Sequence, residues 1–149
     1  MLRHIHPLLG PDLLFALRTM GHGDEIVIAD ANFPASTLGP EVIRADGMGA
    51  EAIAEAILTH MPLDTFAPVS AWRMAMVDTP DIVPPICQSF QEIVTRRAGN
   101  FAIAQLERFA FYERAAKAAF IVATGEQALY ANLILKMGVV TAEETARFR

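Results

Sequence analysis

The sequence predicts a layered α/β fold in a single domain. Short apolar runs typical of buried strands alternate along the whole chain with segments whose apolar residues recur at helical spacing. The chain has 149 residues, an ordinary length for one domain, and contains no internal repeat, low-complexity tract or linker. We therefore treat residues 1–149 as one domain.

In the first half of the chain, Pro and Gly mark where elements begin and end. A helix is predicted over 11–20, with Pro11 at its start and Gly21 just beyond its end. Strands are predicted at 26–28 and 42–45. A second helix is predicted over 49–61, where Pro62 prevents its continuation.

The second half continues the alternation. A loop is predicted over 78–85, which holds three prolines, and a terminal helix over 141–148, where Thr141 and Glu144 have capping-box spacing. The remaining predicted elements are strands at 69–77, 101–106, 120–124 and 133–135 and helices at 83–97 and 107–117.

Composition excludes several classes of function. The net charge is −5 and no basic stripe is present, which argues against a nucleic-acid ligand. The one cysteine, Cys87, cannot form an intrachain disulfide or a cysteine-based metal cage, and fits a reducing, cytoplasmic setting. No secretory leader or membrane-spanning run is expected. Because 53% of residues are hydrophobic, we expect a partner subunit to cover some apolar surface.

His22 is the first candidate for chemistry. It lies between Gly21 and Gly23, which shield it little, and it precedes the acidic pair Asp24 and Glu25. Histidine ordinarily exchanges protons near neutral pH. A surface or structural histidine is the common alternative, and solvated loop charges or helix caps are the favoured interpretation of the two carboxylates.

Polar residues at the ends of predicted strands are the next candidates. Asp30 ends the 26–28 run, and ligands of open α/β sheets bind beyond such ends, although capping the next turn explains an aspartate equally well. Arg108 could hold sugar oxygens with its planar donors or form an ion pair with Glu107 or Asp64. The segment Tyr130-Ala131-Asn132 offers a hydroxyl and an amide suited to a polyol.

Other residues favour structural roles. Trp72, Phe109 and Phe111 are expected in the core rather than beneath a sugar ring. His4 and His6 could supply two metal ligands from a strand, but no third ligand is evident, so no metal is expected. The sequence contains no phosphate loop, dinucleotide fingerprint or nucleophile elbow.

Taken together and in order, several segments resemble the L-fucose mutarotase family, part of a group that also contains D-ribose pyranase. The resemblance runs from near residue 1 to about residue 140 and leaves 141–149 as an extension. The matching segments are 20–25, Asp30 with Phe33-Pro34, 39–47, 108–115, Thr124-Gly125-Glu126 and Tyr130-Ala131-Asn132.

The resemblance implies a three-layer α/β/α fold and an isomerase that opens and recloses a sugar ring without metal or organic cofactor. It makes His22 the proton donor and Asp30, Arg108 and the segment Tyr130-Ala131-Asn132 substrate-binding. It also implies ring-like homo-oligomers, a decamer being one candidate size, with sites completed by a neighbouring subunit. Either Tyr130 or a water held by Asp30 could serve as the base.

Two details differ between the branches of the group. Ala131 resembles the pyranase branch, where the fucose branch usually has glycine, whereas Arg108 and Asp30 through Pro34 resemble the fucose branch. We interpret the chain as an enzyme that interconverts the α and β anomers of L-fucose or a similar sugar. The alternatives are a D-ribose pyranase, which converts pyranose to furanose forms, and a non-catalytic sugar-binding module.

Overall fold

The protein is an α/β domain built on one mixed six-stranded sheet, as predicted. A computed structural model describes all 149 residues. The strands are β1 (Glu25–Ala29), β2 (Glu41–Ala45), β3 (Ala71–Met74), β4 (Ala104–Leu106), β5 (Phe120–Thr124) and β6 (Leu133–Lys136). The helices are α1 (Pro11–Thr19), α2 (Ala50–Leu58), α3 (Pro85–Arg97) and α4 (Arg108–Ala115), with short 3₁₀ helices at Ala35–Thr37 and Ala146–Phe148.

The sheet has the strand order β2-β5-β1-β6-β3-β4. Strand β1 runs parallel to β5, and β5 runs parallel to β2. Strand β6 is antiparallel to both of its neighbours, β1 and β3, whereas β3 and β4 are parallel. Five strands therefore point the same way, so their carboxyl ends share one edge of the sheet with the start of β6. We call this the carboxyl edge and the opposite one the amino edge.

Helices cover both faces of the sheet and make three layers. Alternate residues of a strand face opposite sides, and accordingly Ile26 and Ile28 pack in a large core with α1, α2 and α3, whereas Val27 and Ala29 pack in a smaller core with α4. Phe90 of α3 and Phe111 of α4 are fully buried on the two sides. The α/β/α layering implied by the family resemblance is therefore present.

All the predicted helices and strands before residue 141 are present. The four helices and the strands predicted at 69–77 and 101–106 are shorter than predicted, because apolar patterns continue past the last regular backbone hydrogen bonds. The strand at 120–124 has the predicted bounds, and the other three strands are one or two residues longer. The loop at 78–85 is confirmed up to Pro84, after which α3 begins. The longest helix, α3, has 13 residues, and no helix combines the length and apolar character needed to cross a bilayer.

The predicted terminal helix over 141–148 is wrong. Thr141 and Glu144 do form the expected reciprocal hydrogen bonds, from Thr141 N to Glu144 Oε2 at 2.6 Å and from Glu144 N to Thr141 Oγ1 at 3.3 Å. Beyond them the chain forms turns and the 3₁₀ helix at Ala146–Phe148. No residue of this segment is buried, and a short helix without a packed face is marginal in water.

Candidate functional site

The carboxyl edge holds a pocket that contains most of the candidate residues. Strand β1 delivers Asp30, the start of β6 delivers Tyr130 and Asn132, and the turn after β4 delivers Arg108. Phe33, Met74, Val77, Tyr112 and Leu129 add apolar walls. The cavity has a volume of about 200 Å³, which suits a ligand smaller than a drug-sized molecule.

Asp30 and Asn132 form the buried floor of this pocket. Asn132 Nδ2 donates to Asp30 Oδ2 at 2.9 Å, and the Asp30 backbone N–H donates to Asn132 Oδ1 at 2.9 Å. Asp30 Oδ1 accepts from the Asn32 backbone N–H at 2.9 Å, the turn-capping bond that the alternative interpretation expects. A carboxylate has about four acceptor positions, so Asp30 caps its turn and still retains lone pairs for a ligand hydroxyl.

Tyr130 occupies an unusual backbone position beside Asn132. Its φ is +63°, a left-handed conformation that non-glycine residues seldom adopt and that concentrates at functional sites. Its hydroxyl oxygen accepts from the Val77 backbone N–H at 3.1 Å, and its carbonyl accepts from Cys87 Sγ at 3.5 Å. The phenol oxygen is thereby fixed in place while its own proton is left to donate.

Arg108 makes neither of the ion pairs that the alternative interpretation offered. Its guanidinium forms no salt bridge and lies over the Phe109 ring at 4.6 Å, at the exposed first residue of α4. Glu107 instead caps α4, accepting from the N–H groups of Phe109 and Ala110. Arg108 therefore has free planar donors at the rim of the pocket.

Ala131 does not line the pocket. Its side chain is completely buried in the large core, so only its backbone is available to a ligand. The structure thus groups Asp30, Arg108, Tyr130 and Asn132, and leaves Ala131 as a connecting residue between two of them.

His22 lies at the opposite, amino edge of the sheet. It precedes β1, whereas Asp30 follows β1, and the five residue steps from Glu25 to Asp30 span roughly 17 Å at about 3.3 Å per residue. His22 instead borders an apolar groove of about 430 Å³ with Met61, Pro62 and Met137. Within one chain, the predicted proton donor and the predicted substrate residues are therefore not together.

Asp64, which the sequence indicated only as a possible ion-pair partner of Arg108, is the partner of His22. His22 Nε2 lies 2.9 Å from Asp64 Oδ1, with the Asp64 side chain buried and that of His22 48% exposed. The Phe66 N–H donates to the same oxygen at 3.0 Å and, together with His22, holds the pKa of Asp64 below its ordinary value of 3.8. Nothing in the sequence connects two residues 42 positions apart.

The two carboxylates beside His22 are not equivalent. Asp24 Oδ2 accepts from the Gly21 N–H at 2.8 Å and so closes the turn that carries His22. The expectation that Glu25 is solvated or a cap is wrong, because its carboxylate pairs with Arg114 and lies 3.7 Å from Lys136 Nζ. These cations pair with Glu25 because all three side chains project from neighbouring elements at the amino edge.

The predictions for the aromatic residues are mixed. Trp72 and Phe111 are buried, as predicted, and Arg114 stacks on the Trp72 ring at 3.4 Å. The prediction for Phe109 is wrong, since it is 60% exposed, because the first turn of α4 projects it away from the sheet.

The segment with His4 and His6 is not a strand, contrary to the proposed metal-ligand geometry. His60 Nε2 accepts from the His6 backbone N–H at 3.0 Å. Nowhere in the chain do three histidine, cysteine, aspartate or glutamate side chains form a cluster suited to a metal.

Glu126, part of the matching segments but given no role there, organises the carboxyl edge. Its two carboxylate oxygens accept from the N–H groups of Ala50 and Ala128, and its backbone carbonyl accepts from Ala31. Gly125 beside it has no room for a side chain, because a Cβ would lie 1.9 Å from the Asp46 carbonyl oxygen. These contacts hold together the loops that follow β1, β2 and β5.

Comparisons with known proteins identify the family of the chain. A sequence profile of the RbsD/FucU transport protein family matches residues 3–140. The chain is 49% identical over 150 residues to a fucose mutarotase of Bos taurus, with 97% of each chain covered.

Two solved structures are similar in fold. The fucose mutarotase of Streptococcus pneumoniae in complex with L-fucose has a TM-score of 0.87 and 43% identity, covering 94% of this chain and 100% of that one. RbsD of Bacillus subtilis complexed with D-ribose has a TM-score of 0.71 and 23% identity, covering 95% and 100%. At 23% identity, the similarity to RbsD shows only that the two chains share a fold.

Proposed function

The chain belongs to the RbsD/FucU family, and on this premise we propose that it is a mutarotase that interconverts the α and β anomers of L-fucose. The observation that carries the proposal is the pocket formed by Asp30, Asn132, Tyr130 and Arg108, in a chain 49% identical to a fucose mutarotase. The D-ribose alternative has weaker support, since the ribose-bound neighbour is only 23% identical.

The reaction requires only proton transfers. A protonated donor gives a proton to the ring oxygen, the anomeric hydroxyl loses its proton, and the bond between the anomeric carbon and the ring oxygen breaks. The free aldehyde rotates about one C–C bond and recloses on its other face, reversing both proton transfers. Positioned acid–base catalysis of this kind contributes typically ~10²–10⁴-fold.

The pocket residues suit binding and one of the two proton transfers. Asp30 accepts from sugar hydroxyls with its remaining lone pairs, and Arg108 donates to sugar oxygens from the rim. Tyr130 acts at the anomeric hydroxyl as a phenolate, which a hydrogen bond from the Val77 N–H stabilises and which becomes a neutral phenol when it takes the hydroxyl proton. A water held by Asp30 is the other candidate base.

His22 supplies the proton to the ring oxygen from a neighbouring subunit. The support is its position: it lies at the far end of β1 from its own pocket, and its side chain is 48% exposed. Exposed apolar side chains flank both sites, namely Phe66, Val139 and Val140 near His22 and Val77, Phe109 and Leu129 near the pocket. Contact between two different surfaces of identical subunits produces a ring when the rotation closes.

This assembly is a homo-oligomer that works on a soluble sugar, and a cytoplasmic location fits its free, buried Cys87. Sedimentation of the full chain at micromolar concentration should show a species well above a dimer. A 16 kDa monomer would contradict the shared site.

Saturation-transfer NMR between the two anomer signals of L-fucose tests the reaction, with D-ribose measured in parallel and buffer catalysis subtracted. Enhanced exchange of fucose anomers supports the proposal. Faster pyranose–furanose exchange of ribose supports the pyranase alternative, and binding without any enhanced exchange supports the sugar-binding module.

Subunit mixing tests the shared site directly. His22→Ala and Arg108→Ala variants, each with little activity alone, should regain part of the exchange rate when unfolded and refolded together, since some sites then receive both intact halves. Mixtures that stay as inactive as the separate variants would place His22 and the pocket residues in unrelated sites.

A further inference from the structure

We propose that Glu126 is a positioning residue for Tyr130. Its carboxylate anchors the segment that carries Tyr130 to the first turn of α2 and thereby sets where the phenol oxygen lies in the pocket. The inference rests on the proposed function, because it gives Glu126 a part in the reaction in which Tyr130 takes a proton. The part is indirect, since Glu126 does not line the pocket and acts only through Tyr130.

The backbone of Tyr130 needs support on both of its sides. Its φ of +63° is a strained conformation, which persists only where the surrounding structure holds it. On the following side, Ala131 is completely buried and the Asn132 side chain is bonded to Asp30. The support on the preceding side comes from Glu126.

The side-chain carboxylate of Glu126 joins two separate elements. Oε1 accepts from the Ala128 N–H at 2.9 Å, and Oε2 accepts from the Ala50 N–H at 3.2 Å. Ala128 lies two residues before Tyr130, and Ala50 is the first residue of α2. One side chain therefore ties the approach to Tyr130 to a helix that is more than seventy residues away in the chain, since the two bonded residues Ala50 and Glu126 are 76 positions apart.

Helix α2 is a firm anchor with room for this carboxylate. Six of its nine residues are buried, so the helix is fixed in the large core. Its N-cap residue, Gly49, supplies no side-chain cap, and a carboxylate is favourable beside the unpaired N–H groups of a helix start. A Cβ at Gly49 would lie 3.1 Å from Glu126 Oε2, so the glycine allows the close approach.

The backbone of Glu126 is held independently of its side chain. Its N–H donates to Thr124 Oγ1 at 3.2 Å, and its carbonyl accepts from the Ala31 N–H at 2.9 Å. Thr124 Oγ1 in turn donates to the Ala29 carbonyl at 2.7 Å. Any residue at position 126 retains these backbone contacts. Removing the carboxylate therefore loosens only the segment that follows and leaves the end of β1, with Asp30, in place.

Kinetics test this separation of catalysis from binding. Glu126→Ala should lower the maximal exchange rate by roughly tenfold or more, because a small displacement of a reacting group is costly. The fucose concentration at half-maximal rate should change by less than about twofold, because Asp30 and Asn132 keep their contacts. A normal rate, or a loss of affinity equal to the loss of rate, would overturn the proposal.

The matched control is Glu51→Ala, which removes an exposed carboxylate from the same first turn of α2 and should match wild type. Glu126→Gln keeps the shape of the side chain and one acceptor oxygen, so it should retain more of the wild-type rate than Glu126→Ala. A Glu126→Gln rate at or below that of Glu126→Ala would overturn the proposal, because the bonds to Ala50 and Ala128 would then not set the rate.

Carbon-13 NMR of labelled tyrosine gives a readout that does not depend on activity. The chain has two tyrosines, Tyr112 and Tyr130, so Tyr112→Phe assigns both ring signals. The Tyr130 signal should move in Glu126→Ala, and also in Glu126→Gln, which serves should the alanine variant not fold. The Tyr112 signal should stay nearly in place.

An unmoved Tyr130 signal, or equal movement of both tyrosine signals, would overturn the proposal, because Glu126 would then have no specific effect on Tyr130. If the wild-type protein shows no anomer exchange, the proposed function fails. The Tyr130 signal still decides in that case whether Glu126 positions Tyr130.

Discussion

Asp30 and Asn132 are joined by two hydrogen bonds of 2.9 Å, although 102 residues separate them in the chain. In one bond Asn132 Nδ2 donates to the Asp30 carboxylate, and in the other Asn132 Oδ1 accepts from the Asp30 backbone N–H. The Asn132 side-chain amide therefore fixes both the Asp30 carboxylate and the end of β1. The pair links a strand end to the start of the antiparallel strand β6. This link determines where the Asp30 carboxylate lies relative to Tyr130.

Asn132→Asp should destabilise the fold at neutral pH. The substitution preserves shape but places two buried carboxylates in contact and leaves a donor position empty, which costs about 2–4 kcal/mol. Urea unfolding should show a lower midpoint than wild type, whereas Asn100→Asp, at an exposed position, should not. An unchanged midpoint for Asn132→Asp would mean that the pair contributes little to the fold.

Arg108→Lys should weaken fucose binding while leaving the fold intact. Lysine retains the charge but lacks the planar pair of donors, so the fucose concentration at half-maximal exchange should rise by roughly tenfold. The matched control is Arg44→Lys, since Arg44 pairs only with exposed Asp46. Equal kinetics for Arg108→Lys and Arg44→Lys would remove Arg108 from the site.

His22→Ala should reduce enzymatic anomer exchange by roughly 10²-fold or more, the usual scale for a lost general acid. Fucose affinity should change much less, because the residue acts mainly in the transition state. His22→Gln keeps a hydrogen bond without proton transfer and should lose nearly as much.

The control for His22 is His4→Ala, at an exposed histidine outside both sites. Line broadening between the anomer signals measures each rate. Near-normal exchange by His22→Ala would transfer the acid role to Asp30 or Tyr130, and would favour the sugar-binding module if those variants were equally unaffected.

Gly125→Ala should destabilise the protein because its methyl group would overlap the Asp46 carbonyl oxygen, 1.9 Å away. Overpacking against backbone costs typically about 1–3 kcal/mol, occasionally more. Thermal unfolding should show a lower midpoint. Gly47→Ala, in the same region but with nothing within 4 Å of the added carbon, should leave the midpoint nearly unchanged, and a similar midpoint for both variants would contradict the steric argument.

Asp64 should contribute stability in a defined pH range. Its pKa in the folded protein is lower than the ordinary 3.8, chiefly because the Phe66 N–H bonds to the ionised form. A lowered carboxyl pKa stabilises the fold fully above the ordinary value, and this stability is lost as the pH falls through the lower, folded value.

The difference in urea midpoint between wild type and Asp64→Asn should therefore be present at neutral pH and shrink once the pH falls below about 4. A difference that stays constant into strongly acidic solution would show that the side-chain charge of Asp64 does not contribute.

The local pattern of apolar residues in the sequence predicted the helices and strands with few errors. Alternation of apolar runs with helical spacing is a short-range signal, so β1, β5 and β6 could be predicted from three to five residues each. The terminal segment could not, because the Thr141–Glu144 cap starts a helix that only burial would stabilise, and no partner covers it.

The candidate site was partly predictable for a similar reason. Asp30 was indicated by its place after an apolar strand, and it does lie at the carboxyl edge. The positive φ of Tyr130 and the Val77 contact had no sequence signal, because neither depends on residue type or spacing.

By itself the sequence determined the α/β class, the elements and the residue types available for proton transfer, since periodicity and side-chain chemistry are properties of the chain alone. The tertiary structure decided which of those residues meet. The antiparallel insertion of β6 between β1 and β3 brings Asn132 to Asp30 at one edge and Asp64 to His22 at the other. Strand order depends on packing between distant segments, and this packing separates His22 from the pocket within one chain.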